Sequence, residues 1–183
     1  MARGSPADSP RPVLHFIAGK IGAGKTTLAR RLALELPAVH ICEDQWISML
    51  GGEVKTLRDY VRHSTRCRKL LVPHLRDILR VGASVVLDFA GNTPRDRAWV
   101  RSIFESAGAD HVLHVLEAPE ALCLERLRQR NTECPEGLFW WEVSEALFHE
   151  AAKHYVPPSE AEGFRVVRHE AGARSPWLRF SLK

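Results

Sequence analysis

Gly19-Lys20-Ile21-Gly22-Ala23-Gly24-Lys25-Thr26 is the stretch from which the rest of the chain can be read. It fits the eight-residue pattern of a phosphate-binding loop, GxxxxGK[ST], at every required position. Glycine lets the backbone bend around a triphosphate with its N–H groups turned inward. Lys25 is then placed to reach the β- and γ-phosphates, and the Thr26 hydroxyl to ligate Mg²⁺. The predicted nucleotide-binding set is Gly19, Lys20, Ile21, Gly22, Ala23, Gly24, Lys25, Thr26 and the adjoining Thr27.

Such a loop must leave a buried strand and open a helix, and both neighbours fit. Upstream, Val13-Leu14-His15-Phe16-Ile17-Ala18 is a short apolar run suited to a buried parallel strand. Downstream, Leu28, Leu32 and Leu36, with alanines at 29 and 33, repeat at helical spacing until Pro37 stops the run.

Further along, Ala38-Val39-His40-Ile41-Cys42 predicts a second strand, with Glu43-Asp44-Gln45-Trp46 at its carboxyl end. Ligands of open α/β sheets bind at that edge. Asp44 therefore reads either as a reacting carboxylate or as the cap of a helical turn over Gln45 to Leu50. Gly51-Gly52 marks a loop.

Residues 56 to 81 predict a long amphipathic helix kinked at Pro73, apolar through Leu57, Val61, Leu71, Leu75, Ile78 and Leu79. Its other face carries Arg58, Arg62, Arg66, Arg68, Lys69, Arg76 and Arg80, a solvated face or an anion-binding surface.

Ser84-Val85-Val86-Leu87-Asp88 reads as a buried strand delivering a carboxylate to the nucleotide site. Phe89 follows it, where many ATP-driven motors place a glutamate to activate water. Thr93 and Pro94 suit the cap and first position of another helix, which Arg95 and Arg97 begin.

His111 to Leu116 predicts a fourth strand. In the helix after it, Arg126 and Arg130 share one face and can meet the same anion. The polar, turn-rich stretch 131 to 137 suggests a flap within a lid segment near 131–140. Phe139-Trp140-Trp141 suits core packing or stacking on a ligand, ahead of a helix over 142 to 154. Phe164 to Val167 predicts the last strand.

Alternating strands and helices imply an α/β fold: a three-layer phosphate-loop architecture with a parallel sheet of about five strands covered on both faces. With 183 residues, the expectation is a flexible tail over 1–12 and a single domain over 13–183. Apolar content of 45% excludes a disordered chain, and no apolar run is long enough to span a bilayer. The first residues lack the apolar segment of a signal peptide, so the expected compartment is the cytoplasm. Cys42, Cys67, Cys123 and Cys134 form no CxxC pair, so they read as reduced structural thiols. The net charge of +4 suits anionic ligands without pointing to nucleic acid.

The loop GKIGAGKTT, the Asp44 segment, DFAGNTPRDRAW from Asp88 to Trp99 and RLRQR from Arg126 to Arg130 together resemble P-loop kinases of the 5′-polynucleotide kinase and chloramphenicol phosphotransferase type, within the AAA-type ATP-binding kinases. The resemblance covers about residues 13 to 168. It implies that Asp44 is the general base for an acceptor hydroxyl, and that Arg126 and Arg130 join Lys25 in clamping the phosphates. It also implies that the segment from Asp88 to Arg97 helps hold acceptor or metal. The expected acceptor side comprises Asp44, Trp46, Asp88, Asn92 and Arg95, with Trp46 where relatives often carry smaller or charged groups.

The leading expectation is a kinase that uses ATP and Mg²⁺ to phosphorylate a hydroxyl of a small molecule such as an antibiotic, sugar or nucleoside. A nucleic-acid 5′-hydroxyl is the second acceptor considered, and an ATP-binding switch without acceptor is the competing class. No guanine-reading Asn/Thr-Lys-x-Asp segment occurs.

Overall fold

The computed structural model describes residues 10–50, 54–133 and 142–170. Five strands form one parallel sheet: β1 (Val13–Ala18), β2 (Val39–Cys42), β3 (Val85–Ala90), β4 (Asp110–Glu117) and β5 (Val166–Glu170), in the order β2-β3-β1-β4-β5. The helices are α1 (Lys25–Glu35), α2 (Glu43–Met49), α3 (Leu57–Arg80), α4 (Pro94–Ala107), α5 (Glu120–Glu133) and α6 (Glu145–Ala152). The predicted α/β architecture with helices on both faces is the one observed.

The period-two alternation of β1 builds two cores. Leu14, Phe16 and Ala18 face α3 and α4, meeting Leu71, Leu75, Leu79, Ile103 and Phe104. Ile17 faces the other way, toward Leu28, Ala29 and Leu32 of α1 and Leu127 of α5. Each of these side chains is buried almost completely, worth about 1.5–3 kcal/mol apiece for a Leu, Ile or Phe.

Local chemistry sets the helix starts. Thr56 with Asp59 opens α3 and Thr93 with Asp96 opens α4, each as a reciprocal capping box, and Pro94 takes the first turn of α4 as expected. Helix α3 runs unbroken through Pro73, which is exposed, so the carbonyl its missing N–H would have met lies on the solvent side.

Several boundaries differ from expectation. The last strand begins at Val166, because Phe164 turns inward to pack edge-on against Phe16 and Phe104. Residues 131–133 form the last turn of α5 rather than the start of a flap. The remaining flap and lid residues to 140, the aromatic cluster 139–141, Cys134 and Gly51-Gly52 lie outside the described residues. Cys42, Cys67 and Cys123 are free, buried thiols. Among the described residues, no helix is long and apolar enough to cross a membrane.

Two arginines placed on solvent or ligand surfaces by the sequence are structural. Arg97 is fully buried, with its guanidinium on Glu162 at 2.6 and 2.8 Å and on the carbonyls of Gly91 and Val156 at 3.0 and 2.9 Å. Arg68 leaves the basic face of α3 to bridge Glu43 and Asp96 at 3.1 and 2.6 Å, stacked over Trp99. Arg97→Ala, which leaves Glu162 and two carbonyls without their donor, should cost about 3 kcal/mol. A chemical melt giving less than about 1 kcal/mol would contradict this role.

On the α1 face of the sheet three histidines form a ladder across neighbouring strands. His15 Nδ1 lies 3.1 Å from His114 Nε2, and His114 Nδ1 lies 2.9 Å from His169 Nε2. Burial holds all three below the ordinary histidine range, with Arg165 adding to this at His15 and Arg31 at His169; His114, flanked by the other two rings, falls to about 3. Since the unfolded chain takes up protons below about pH 6.5 and the folded ladder resists them, stability should fall as pH drops from 6.5 toward 5. His114→Gln should flatten that fall in thermal melts. Equal pH slopes in the two proteins would rule the ladder out as its cause.

Candidate active site

The phosphate loop closes on itself through its own polar groups. Ala23 N–H donates to the Lys20 carbonyl at 3.2 Å, and Lys25 Nζ donates to the carbonyls of Gly19 and Lys20, both at 2.9 Å. Gly24 caps α1 in the left-handed region with φ 103°, and no side chain caps the first amides of the helix. Gly22, at a position the motif leaves open, is required on two counts. Its φ is 75°, and a Cβ there would meet the Cys123 carbonyl oxygen at 2.3 Å.

Asn92, expected on the acceptor side, instead braces this loop. Its Oδ1 accepts from Gly19 N–H at 2.9 Å and its Nδ2 donates to the Gly19 carbonyl at 3.0 Å. The amide lies at the cavity wall with both of its functional groups engaged on Gly19.

Asp88 lies in β3 where the β1–β3 register shifts between the pairs Phe16↔Leu87 and Ile17↔Ala90, and it shares the cavity wall with the loop. Burial pushes its carboxyl up, but His40, Thr26 and Lys25 outweigh this and hold it below the ordinary range. Its Oδ2 is buried without a hydrogen-bond partner, 3.8 Å from His40 Nε2. Mg²⁺ is bound in proteins by one or two carboxylates together with substrate phosphates and waters. Asp88 and the Thr26 hydroxyl fit that donor set. Among the described residues, no three His, Cys, Asp or Glu side chains are grouped to hold a metal unaided.

Asp44 lies in the first turn of α2, after the actual cap Cys42, so the capping alternative is withdrawn. Burial raises its carboxyl to about 7, with Glu43 and Asp88 pushing the same way and Lys25 and Arg130 opposing. The preceding Glu43 is almost wholly buried and held by three α3 side chains: Tyr60 Oη at 3.0 Å, Ser64 Oγ at 2.5 Å and Arg68 Nε at 3.1 Å. This anchor fixes the start of α2 and hence Asp44. Nothing local in the sequence marks it, because its partners lie 17 to 25 residues away on another helix.

From α5, Arg126 Nη1 donates to the Ala23 carbonyl at 3.0 Å. Arg130 is drawn toward Asp44 electrostatically, burial depresses its pKa, and its Nη2 is buried without a hydrogen-bond partner.

A cavity of about 480 Å³ joins the phosphate loop to Asp44, Asp88, Asn92, Arg126 and Arg130. Of the other expected residues, Ile21, Gly22, Gly24, Lys25, Thr26 and Thr27 line it, while Gly19, Lys20 and Ala23 support the loop from outside the lining. Two members of the expected acceptor side are elsewhere. Trp46 packs against the main core and Arg95 is exposed on α4, because the first turns of α2 and α4 point those side chains away from the cavity.

The family model described as an AAA domain matches residues 14–155. No curated protein matches. Among solved structures, a candidate kinase from Chloroflexus aurantiacus j-10-fl is 18% identical, with a TM-score of 0.73 over 95% of this chain and 100% of that one. Kti12 of Chaetomium thermophilum in complex with ADP-AlF3 is 15% identical, with a TM-score of 0.69 over 88% and 91%. The Mycobacterium tuberculosis APS kinase CysC in complex with AMPPNP and APS is 19% identical, with a TM-score of 0.56 over 91% of each chain. At these identities the likeness establishes a fold shared with P-loop kinases.

Proposed function

The chain belongs to the AAA domain family, and from that premise and the geometry of its cavity we propose that it is an ATP-dependent phosphotransferase acting on a hydroxyl of a small-molecule acceptor. The observation that carries this reading is Asp44. A carboxylate with its pKa raised to about 7 shares one cavity with the phosphate-loop lysine, where a nucleotide switch needs no base.

In this reading the triphosphate lies in the loop, with Lys25 at the β- and γ-phosphates. Mg²⁺ held with Asp88 and Thr26 would neutralise phosphate charge. Asp44 takes the proton of the acceptor hydroxyl as its oxygen bonds to the γ-phosphorus. The bond between that phosphorus and the β–γ bridging oxygen breaks, and ADP leaves. Arg130, with a free buried N–H, is positioned to meet charge on the moving phosphoryl group, and Arg126 holds the loop. Complexes of Kti12 with ADP-AlF3 and of the APS kinase with AMPPNP lend support through neighbours of the same fold.

The test is ATP turnover with and without a panel of hydroxyl compounds and 5′-hydroxyl oligonucleotides. Strong stimulation by one class of acceptor is expected. Turnover indifferent to every acceptor would favour the switch.

A further inference from the structure

Arg68 does not line the cavity, yet it touches three of the segments that build the cavity wall. Its Nε donates to Glu43 Oε1 at 3.1 Å, and Glu43 directly precedes Asp44. Its Nη1 donates to Asp96 Oδ1 at 2.6 Å, and the other Asp96 oxygen closes the capping box on Thr93, which directly follows Asn92. The same guanidinium lies over the Trp99 ring at 4.9 Å and over Phe89, the residue after Asp88, at 5.8 Å. Its partners are thus joined along the chain to Asp44 and Asp88, and through the Thr93 cap to Asn92, which braces Gly19 of the phosphate loop.

These contacts are sheltered from water. Glu43 is almost wholly buried, and the Arg68 and Asp96 side chains are only 19% and 22% exposed. Burial lowers the Arg68 pKa, but Glu43 and Asp96 outweigh it and hold the group above the ordinary arginine range. A planar guanidinium can donate in two directions while its face stacks on a ring, which the point charge of a lysine cannot reproduce. Leu71, Leu75 and Leu79 fix α3 in the core, so Arg68 stands on a rigid support. Phosphoryl transfer depends mostly on positioning, and a misplacement of about 1 Å caused far from the chemistry can cost about 10²-fold in rate.

We propose, on the basis of the phosphotransfer reading, that Arg68 is a positioning residue: it fixes Asp44 on α2 relative to the braced phosphate loop without itself meeting ATP or acceptor. Arg68→Lys keeps the charge and cannot span both carboxylates. With γ-labelled ATP and the hydroxyl compound that most stimulates turnover, it should lower kcat at least about tenfold while KM for ATP stays within about twofold. Arg66→Gln, which removes an exposed cation from the same helix, should change neither. A kcat equal to the wild type's, or a KM for ATP that rises as far as kcat falls, would overturn the proposal. A second variant and readout stand apart from catalysis. Asp96→Ala leaves Glu43 its cation, and the Asp96 side chain it removes bonds to Thr93 and Arg68 rather than to α2. Hydrogen exchange at the α2 amides of Ile47 to Met49 should nevertheless quicken at least about threefold beyond any change in β1. Unchanged α2 exchange would overturn the tie even in a protein that phosphorylates an acceptor. Faster α2 exchange in a protein whose wild type phosphorylates none would leave the tie standing and sink the phosphotransferase reading alone.

Discussion

Lys25→Ala is expected to reduce ATP-dependent phosphoryl transfer by at least about 10³-fold while the protein stays folded. Burial lowers the Lys25 pKa, with Asp88 and Asp44 opposing, so the ammonium is held partly desolvated at the point where a phosphate would meet it. Loss of one preorganised donor to a developing charge typically costs about 10²–10³-fold, and here a full cation is removed. The change also releases the carbonyls of Gly19 and Lys20, which water can satisfy in a half-buried loop. A thermal melt within a few degrees of the wild type should therefore accompany the loss. Transfer at the wild-type rate by the purified variant would remove the motif reading altogether.

Asp44→Asn should slow transfer by about 10²–10⁴-fold, because asparagine keeps the shape and cannot take the proton. The pH dependence makes the prediction sharper. With the carboxyl raised to about 7, the base is available only above that value, so kcat/KM should rise through pH 7 in the wild type and lose that limb in the variant. Stability moves the other way. A carboxylate whose pKa is raised on folding contributes stability below its unfolded value of about 4 and loses it as pH climbs through 7. At pH 8 the wild type holds a buried charge that the variant lacks, and Asp44→Asn should melt at the same temperature or higher. Unchanged transfer with unchanged stability would leave Asp88 as the next candidate base.

Much of this site was legible because its chemistry is local. The loop from Gly19 to Thr26 carries its whole motif in one segment, Asp88 falls near the end of a readable strand, and helical spacing puts Arg126 and Arg130 on one face of α5 toward the same cavity. What escaped depends on contacts between distant residues. Arg95 and Arg97 look equivalent in sequence, yet Glu162, 65 positions beyond Arg97, draws one into the core and leaves the other in solvent. Arg66 and Arg68 differ in the same way, since only Arg68 lies on the helical face that meets Glu43 and Asp96. Asn92, expected from the sequence on the acceptor side, has its amide occupied by Gly19, 73 positions earlier. Of the two readings open for Asp44, the cap fails because α2 begins at Glu43, whose buried carboxylate is held by α3.

The fate of the γ-phosphoryl group tests the central claim most directly. With γ-labelled ATP, Mg²⁺ and the hydroxyl compound that most stimulates turnover, label should appear in the compound as a phosphate ester, one for each ADP formed, and this transfer should collapse in Asp44→Asn. Label recovered only as inorganic phosphate, at a rate indifferent to the hydroxyl compound and to Asp44, would contradict it.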